Sequence, residues 1–323
     1  MTNQRKNIFQ IPTTDFSFKK IFGTEQNKRF LIRFLNCFVS KYTGEIVDVT
    51  YLPTEQYGMV DTEKKAVFDL LCKDAEDRKF IIEMQKAPQP DYAERSIFYL
   101  SRAISASLAR GQLDYQILPS YSVNILDFDL QEYRKKDQFF HAVFLKDQNN
   151  EILTQKVGIF FIKLCNFAAR QSELTEEMRN WLNVLKNMPD MDESDYDKQP
   201  AFFQELMDEC RISKLTAMEK DNYQKSVLEY EDVKRAVEYA REMAAKAFFE
   251  KGMEKGREEG MQQGMEKGRE EGREEGREEG REEGREEALL QTAKKFLAKG
   301  ISVDDVAEAT GLSIDRVRAL LNC

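Results

Sequence analysis

Residues Ala66–Lys86 read AVFDLLCKDAEDRKFIIEMQK. Two apolar runs, Ala66–Cys72 and Lys79–Lys86, flank the polar segment Lys73–Arg78. That pattern predicts two strands joined by a short hairpin turn. Each run carries an acid, Asp69 in the first and Glu83 in the second. Side chains alternate faces along a strand, so Glu83 and Gln85 share one face while Ile82 and Met84 occupy the other. With the turn centred on Glu76, Asp69 stands directly across from Glu83. Facing carboxylates repel, and each loses hydration when half-buried. A hard divalent cation held by oxygen ligands is the simplest relief. Two alternatives stay open at this level. Acids on an edge strand simply face water, and a one-residue slip in register separates the pair.

The whole chain narrows the chemistry. Its 323 residues suffice for one sizeable core plus an accessory region. Hydrophobic residues make up 41% and charged residues 33%, which predicts a globular body with a very polar appendage. The net charge of −9 makes the chain a poor general binder of nucleic acid, so such a contact needs a local basic face. None of the five cysteines lies in a CxxC pair, which removes a zinc-ligand signature and a disulfide framework and fits a reducing cytoplasm. A polar N-terminus and the lack of an apolar run of bilayer length predict neither a signal peptide nor a membrane helix. His141 is the single histidine and opens the apolar run HAVFL, as a strand-end residue does. Chemistries needing two histidines are excluded, and no nucleophile-elbow context supports a Ser/His/Asp triad. Carboxylates remain as the obvious catalytic groups.

Before the hairpin, residues 1–12 read as an untethered leader. Thr13, Thr14 and Asp15 offer caps for a first helix, DFSFKKIFG, closed by Gly23. Lys28–Tyr42 has Phe30, Leu31, Phe34, Leu35 and Phe38 at helical spacing, and Ile46–Leu52 alternates as a strand. After the hairpin, Tyr92–Arg110 is helical, with Arg95 and Arg102 on one face and Tyr99 between them. Such a stripe beside a metal site grips phosphates, or it is a solvated helix face. Strands follow at Tyr121–Phe128, Phe139–Lys146 and Val157–Leu164, then helices at Ser172–Asn187, Gln199–Met207 and, as one helix or a pair, Ile212–Glu250. The acidic segment Pro189–Pro200 reads as a loop. This order makes an α/β or α+β core of residues 10–170, followed by a helical region over 171–250.

Composition then changes. From Gly252 to Gly284 a glycine falls at every fourth position, in a Gly/Arg/Glu repeat spanning 251–287. Each helical Gly costs about 1 kcal/mol relative to Ala, whereas a Glu270–Arg273 pair returns only a few tenths. The repeat reads as a polar spacer or helical stalk. Self-association of this helical extension into a homo-oligomer is an open alternative. Residues 288–323 form a small unit: Ala288–Lys299, then Val303–Ala309 and Ile314–Leu321 around Gly311, with Ser302 and Ser313 as caps. Two short helices with a Gly turn match a helix-turn-helix pattern, with Arg316 and Arg318 on the second, and a plain helical cap or dimerisation unit is the alternative.

DFSFKKIFG, FDLLCKD…FIIEMQ, ERSIFYLSRAISASLARG and PSYSVNIL, taken together, resemble the Rpn family of recombination-promoting nucleases, also described as transposases, within the PD-(D/E)XK superfamily. The resemblance covers about residues 10–165. It implies a restriction-endonuclease-like mixed sheet flanked by helices, with the active site on a hairpin. It further implies a metal-dependent DNA endonuclease linked to recombination, mobile elements or defence. Carried over, the metal ligands are Asp69, Glu83 and the carbonyl of Met84, with Mg²⁺ the default and Ca²⁺ or Mn²⁺ as substitutes. Gln85 stands where the superfamily has a Lys, as in the ExQ variant of this family, and an amide carries neither charge nor basicity. Lys86 is expected on the other face. Lys19 or Lys20 is then the candidate for the missing charge, Asp15 for a third carboxylate, and Arg95 and Arg102 for holding phosphate. The competing reading is a catalytically decayed nuclease fold kept as an interaction or regulatory module.

Overall fold

The computed structural model describes residues 7–56, 66–89, 91–108, 116–130, 138–165 and 174–321. Contacts divide the chain into two units, Met1–Ala240 and Arg241–Cys323.

In the first unit, α1 (Asp15–Phe22) begins where the Thr14 hydroxyl accepts the Ser17 N–H, and it ends at Gly23. The phenylalanine-rich α2 (Lys28–Phe38) turns into the short α3 (Ser40–Thr43). Then come β1 (Val49–Tyr51), β2 (Glu55–Gln56), β3 (Ala66–Val67), β4 (Leu70–Asp74) and β5 (Lys79–Gln85). The crossover helix α4 (Tyr92–Ser105) leads to β6 (Ser120–Leu126), β7 (Phe140–Phe144) and β8 (Val157–Lys163). Helices α5 (Glu176–Asn187), α6 (Glu193–Asp197) and α7 (Ala201–Glu209) precede α8 (Ala217–Ala298). The sheet runs β1-β4-β5-β6-β8-β7, and β2 pairs with β3 apart from it. Its centre is parallel, β5 beside β6 and β6 beside β8, and its flanks are antiparallel. This is the mixed sheet with flanking helices expected of an α/β core.

Strand alternation sorts the core into two layers. Phe80, Ile82 and Met84 point into the larger one with Phe18, Phe22, Phe34, Trp181 and Phe203. On the opposite face, Ile81 packs with Phe68, Leu71 and Ala103 of α4, and Phe161 packs with Tyr92 and Leu100. A helix layer on each face buries both sides of the parallel strands, which explains their nearly continuous apolar sequences.

The hairpin is pinned at its turn. Asp74 Oδ1 accepts the N–H groups of Glu76 and Arg78, each at 3.0 Å. Its other oxygen pairs with Arg78 Nε at 2.5 Å, and both side chains are buried. The Arg78 guanidinium also donates to the carbonyls of Thr43 and Glu45. Gly44, between those two carbonyl residues, has φ +86°, and a Cβ there would stand 2.6 Å from Arg78 Nη1. The ladder pairs Leu70 with Ile82 and Cys72 with Phe80. Continued by one residue, that register sets Asp69 against Glu83.

Several expectations need correction. Residues 7–12 are not a free leader: Phe9 is fully buried, Gln10 N–H donates to the Cys210 carbonyl, and Ile212 N–H donates to that of Ile8. Residues 1–6 lie outside the described residues. The run Ala66–Cys72 is not one strand, because Ala66–Val67 pairs with Glu55–Gln56 while Leu70–Asp74 joins the main sheet. Asp69 sits at that break. Lys28–Tyr42 divides at Val39, and the segment Pro189–Pro200 contains α6, capped by Asp192. The helix expected over Tyr92–Arg110 is shorter, since α4 ends at Ser105 with Ala106 as its C-cap.

The second unit carries the rest of α8, which runs unbroken through the repeat to Ala298. Ala288–Lys299 is therefore its last stretch rather than a separate helix. A helix already under way needs no new nucleus, so each added Gly costs only its propensity. Helices α9 (Val303–Thr310) and α10 (Ile314–Leu320) follow, and Val306, Ala307 and Val317 close a small core with Ala293. Arg316 is paired with Glu286. Among the described residues, no helix is long and apolar enough to cross a membrane.

Candidate active site

Glu83 lies in the middle of the sheet on a strand that is otherwise apolar, and only 2% of it is exposed. Its Oε1 accepts the Asp69 N–H at 3.2 Å, and Asp69 Oδ2 accepts the Met84 N–H at 2.8 Å. The two acids are thus interlocked across the hairpin, as the face argument required. An antiparallel residue points its N–H and its C=O toward the same neighbour, so the Met84 carbonyl faces the Asp69 edge as well. Gln85 shares the face of Glu83 and donates from Nε2 to Glu83 Oε2 at 3.3 Å. The Gln85 carbonyl turns the other way and accepts the Asp127 N–H.

The electrostatics are unbalanced. Burial, and then the charge of Asp69, push the Glu83 carboxyl up to about 8. Burial also raises Asp69, and Asp15 adds to the rise, against the Met84 N–H, Lys19 and Arg95. Among the described residues the one ion-pair partner of Glu83 is Arg95, with Nη2 at 3.9 Å. Arg95 also donates to Gln89 Oε1 at 2.6 Å and lies over the Tyr99 ring. One buried and one half-buried carboxylate, with Arg95 no nearer than 3.9 Å to Glu83, leave oxygen atoms that a hard divalent ion suits. Two carboxylates and a main-chain carbonyl are the oxygen donors that a hard divalent ion takes.

The other expected residues divide. Asp15 lines the cavity at the end of β5 with Asp69, Met84 and Gln85. Among the described residues, however, no three acid, histidine or cysteine side chains form a metal-binding group, so Asp15 does not complete a three-carboxylate set. Lys19 is paired with Asp15 at 2.9 Å. Lys20 is paired with Glu219 at 2.5 Å and lines a different cavity of about 570 Å³, between α1 and the first turns of α8. Arg102 stacks on Phe98, and Arg95 reaches Glu83.

Strand alternation sets Lys86 on the face opposite Gln85, that of Met84, and β5 ends at Gln85. Beyond it, Lys86 lines the same cavity as Asp69 and Gln85. Burial lowers its ammonium against the pull of Asp15, Glu229 and Asp69.

A polar network beside Glu83 also escaped the sequence reading. Asn124 is its register partner on β6. Asn124 Oδ1 accepts from the Tyr92 hydroxyl at 2.8 Å and from Ser96 at 3.4 Å, and its Nδ2 donates to Ser122 Oγ and to the Phe160 carbonyl. All four side chains are buried. The available signal was SYSVNIL, where Ser122 and Asn124 alternate on one face of a strand that is otherwise largely apolar.

Residues 12–240 match the family model described as PD-(D/E)XK nuclease family transposase. No curated protein and no solved structure matches the chain.

Proposed function

The chain belongs to the PD-(D/E)XK nuclease family transposases, and on that premise we propose that it is a metal-dependent DNA endonuclease serving recombination, mobile elements or defence. The observation that carries this reading is the interlocked pair Asp69 and Glu83, the glutamate buried and the aspartate half-buried, with no cation closer than 3.9 Å among the described residues. A metal accounts for an acid inside the sheet, Glu83, facing a second acid just before β4, Asp69.

Asp69 and Glu83 hold the cation through carboxylate oxygens, and Met84 holds it through its carbonyl. Mg²⁺ is the ion of choice, with Mn²⁺ and Ca²⁺ as substitutes. A bound divalent ion supplies a water of lowered pKa and neutralises charge on the phosphate. The Gln85 amide orients a water or a phosphate oxygen but accepts no proton. Arg95 holds Glu83 in place from the α4 side. Asn124, Tyr92 and Ser96 form a rigid polar floor beside it. A cytoplasmic place agrees with cysteines that form no CxxC pair.

Supercoiled plasmid incubated with the full chain and Mg²⁺, Mn²⁺ or Ca²⁺ is the test, beside Asp69→Ala and Glu83→Ala. The wild type nicks with Mg²⁺ or Mn²⁺, and each variant loses about a hundredfold or more in rate. Equal nicking by wild type and variants, or none by either, ends the nuclease reading and leaves a fold retained as an interaction module.

A further inference from the structure

A divalent ion held by Asp69 and Glu83 would offset the charges of both carboxylates. A phosphodiester then adds one negative charge, and more builds on its oxygens as the bond to phosphorus breaks. Gln85 contributes none of the positive charge this requires. The cations around the site therefore have to be surveyed one by one.

Three of them are already engaged. Lys19 is paired with Asp15, Lys20 with Glu219, and Arg95 with Gln89 and more distantly with Glu83. Lys86 differs. Among the described residues it has neither an ion pair nor a hydrogen bond, and its Nζ lies 5.3 Å from the centre of the Tyr230 ring on α8. It lines a cavity of about 200 Å³ together with Asp69, Met84, Gln85, Asp15 of α1 and Val233 of α8. An aromatic face holds an ammonium in place without consuming its three N–H donors. Lys86 is thus a half-buried cation in the same cavity as Asp69, with its hydrogen-bonding capacity unspent.

We propose that Lys86 is the phosphate-binding cation of this site, shelved on Tyr230 and donating to a backbone phosphate of DNA that enters the cavity at the end of β5. The assignment rests on the reading of the site as one for phosphodiesters, and it deepens that reading by naming the group that grips the substrate. Engaging Lys86 breaks no existing ion pair, unlike recruitment of Lys19 or Lys20. Val233 and Tyr230 come from α8, so that helix takes part in the site by walling the cavity and placing the cation.

The experiment separates binding from cutting. A fluorescently labelled DNA duplex is titrated with the full chain by anisotropy, in EDTA and in Ca²⁺, over a series of salt concentrations. Lys86→Met keeps the apolar stem against Tyr230 while removing the charge. It weakens binding about tenfold and lowers the salt slope by about one. Lys86→Arg restores both, and thermal melting of the two variants matches the wild type. Unchanged affinity and slope in Lys86→Met overturn the proposal, as does a wild-type chain that binds no duplex in either condition. A wild type that binds but never nicks, with the slope still dependent on Lys86, removes the nuclease reading and keeps the phosphate site. A wild type that nicks, with Lys86→Met nicking and binding equally well, does the reverse.

Discussion

The hairpin formed by β4 and β5 buries acids at both of its ends, and the two ends solve the resulting problem differently. At the turn, Asp74 has Arg78 at 2.5 Å and two N–H donors besides. At the open end, Glu83 has the Asp69 N–H, Asp69 has the Met84 N–H, and beyond these there are one glutamine amide and an arginine no nearer than 3.9 Å. Burial is comparable for Asp74 and Glu83, at 6% and 2% exposed. What differs is the supply of positive charge. An acid given its own cation is a structural part, and it fixes the register that aligns the second pair. Among the described residues Glu83 has only that more distant arginine for a cation, and its carboxyl is pushed up to about 8.

The contrast can be broken at either end, and the turn carries the larger effect. Asp74→Ala strands the Arg78 guanidinium in the interior and lowers stability by about 3–5 kcal/mol in urea denaturation. A loss below 1 kcal/mol would mean that the turn is not the anchor. Glu83→Gln has the opposite sign and raises metal-free stability at pH 8 by about 2 kcal/mol, since it removes a buried charge. The pH dependence follows from the raised Glu83 carboxyl. The native state holds that proton up to about pH 8, whereas the unfolded chain releases it in the ordinary carboxylate range. Metal-free stability therefore falls as pH rises between those limits and is unaffected below them. Parallel wild-type and Glu83→Gln profiles would refute this.

Gly44→Ala comes next. It forces a side chain to φ +86° and against Arg78, which costs about 1–2 kcal/mol, readable as a lowered melting temperature with little change in metal affinity. The smallest expected effect is a gain from Mg²⁺ of about 1.4 kcal/mol at ten times its Kd. That gain grows with pH as protons leave the acids, and it is absent in Asp69→Ala. Calorimetry in buffers of different ionisation enthalpy counts the protons released.

The facing acids were legible because strand period and hairpin symmetry are arithmetic: once the turn centres on Glu76, residue 69 must oppose residue 83. The main strands and helices were legible from the same periodicities. The departures occur where a local rule expires. Apolar pattern alone does not separate Ala66–Val67 from Leu70–Asp74, because the choice between two sheets is made by tertiary pairing. Nor could local sequence reveal that Phe9 packs in the core or that Asn124 lies beside Glu83, since those contacts join segments far apart in the chain. Summed propensity argued against a glycine-studded helix, yet α8 continues through the repeat with pairs such as Lys255–Glu259 and Lys267–Glu271.

The first turns of α8 add a dimension of time. Ile11 N–H is bonded to the Tyr223 hydroxyl and Phe16 N–H to Ser226, across more than 200 residues of chain. A ribosome releases the acids of the hairpin long before it releases Tyr230 and Val233. The nascent chain therefore carries its carboxylates early and the shelf and wall of their cavity late. Contacts of such long sequence separation form slowly. A cutting activity that requires them stays silent until synthesis has passed the core.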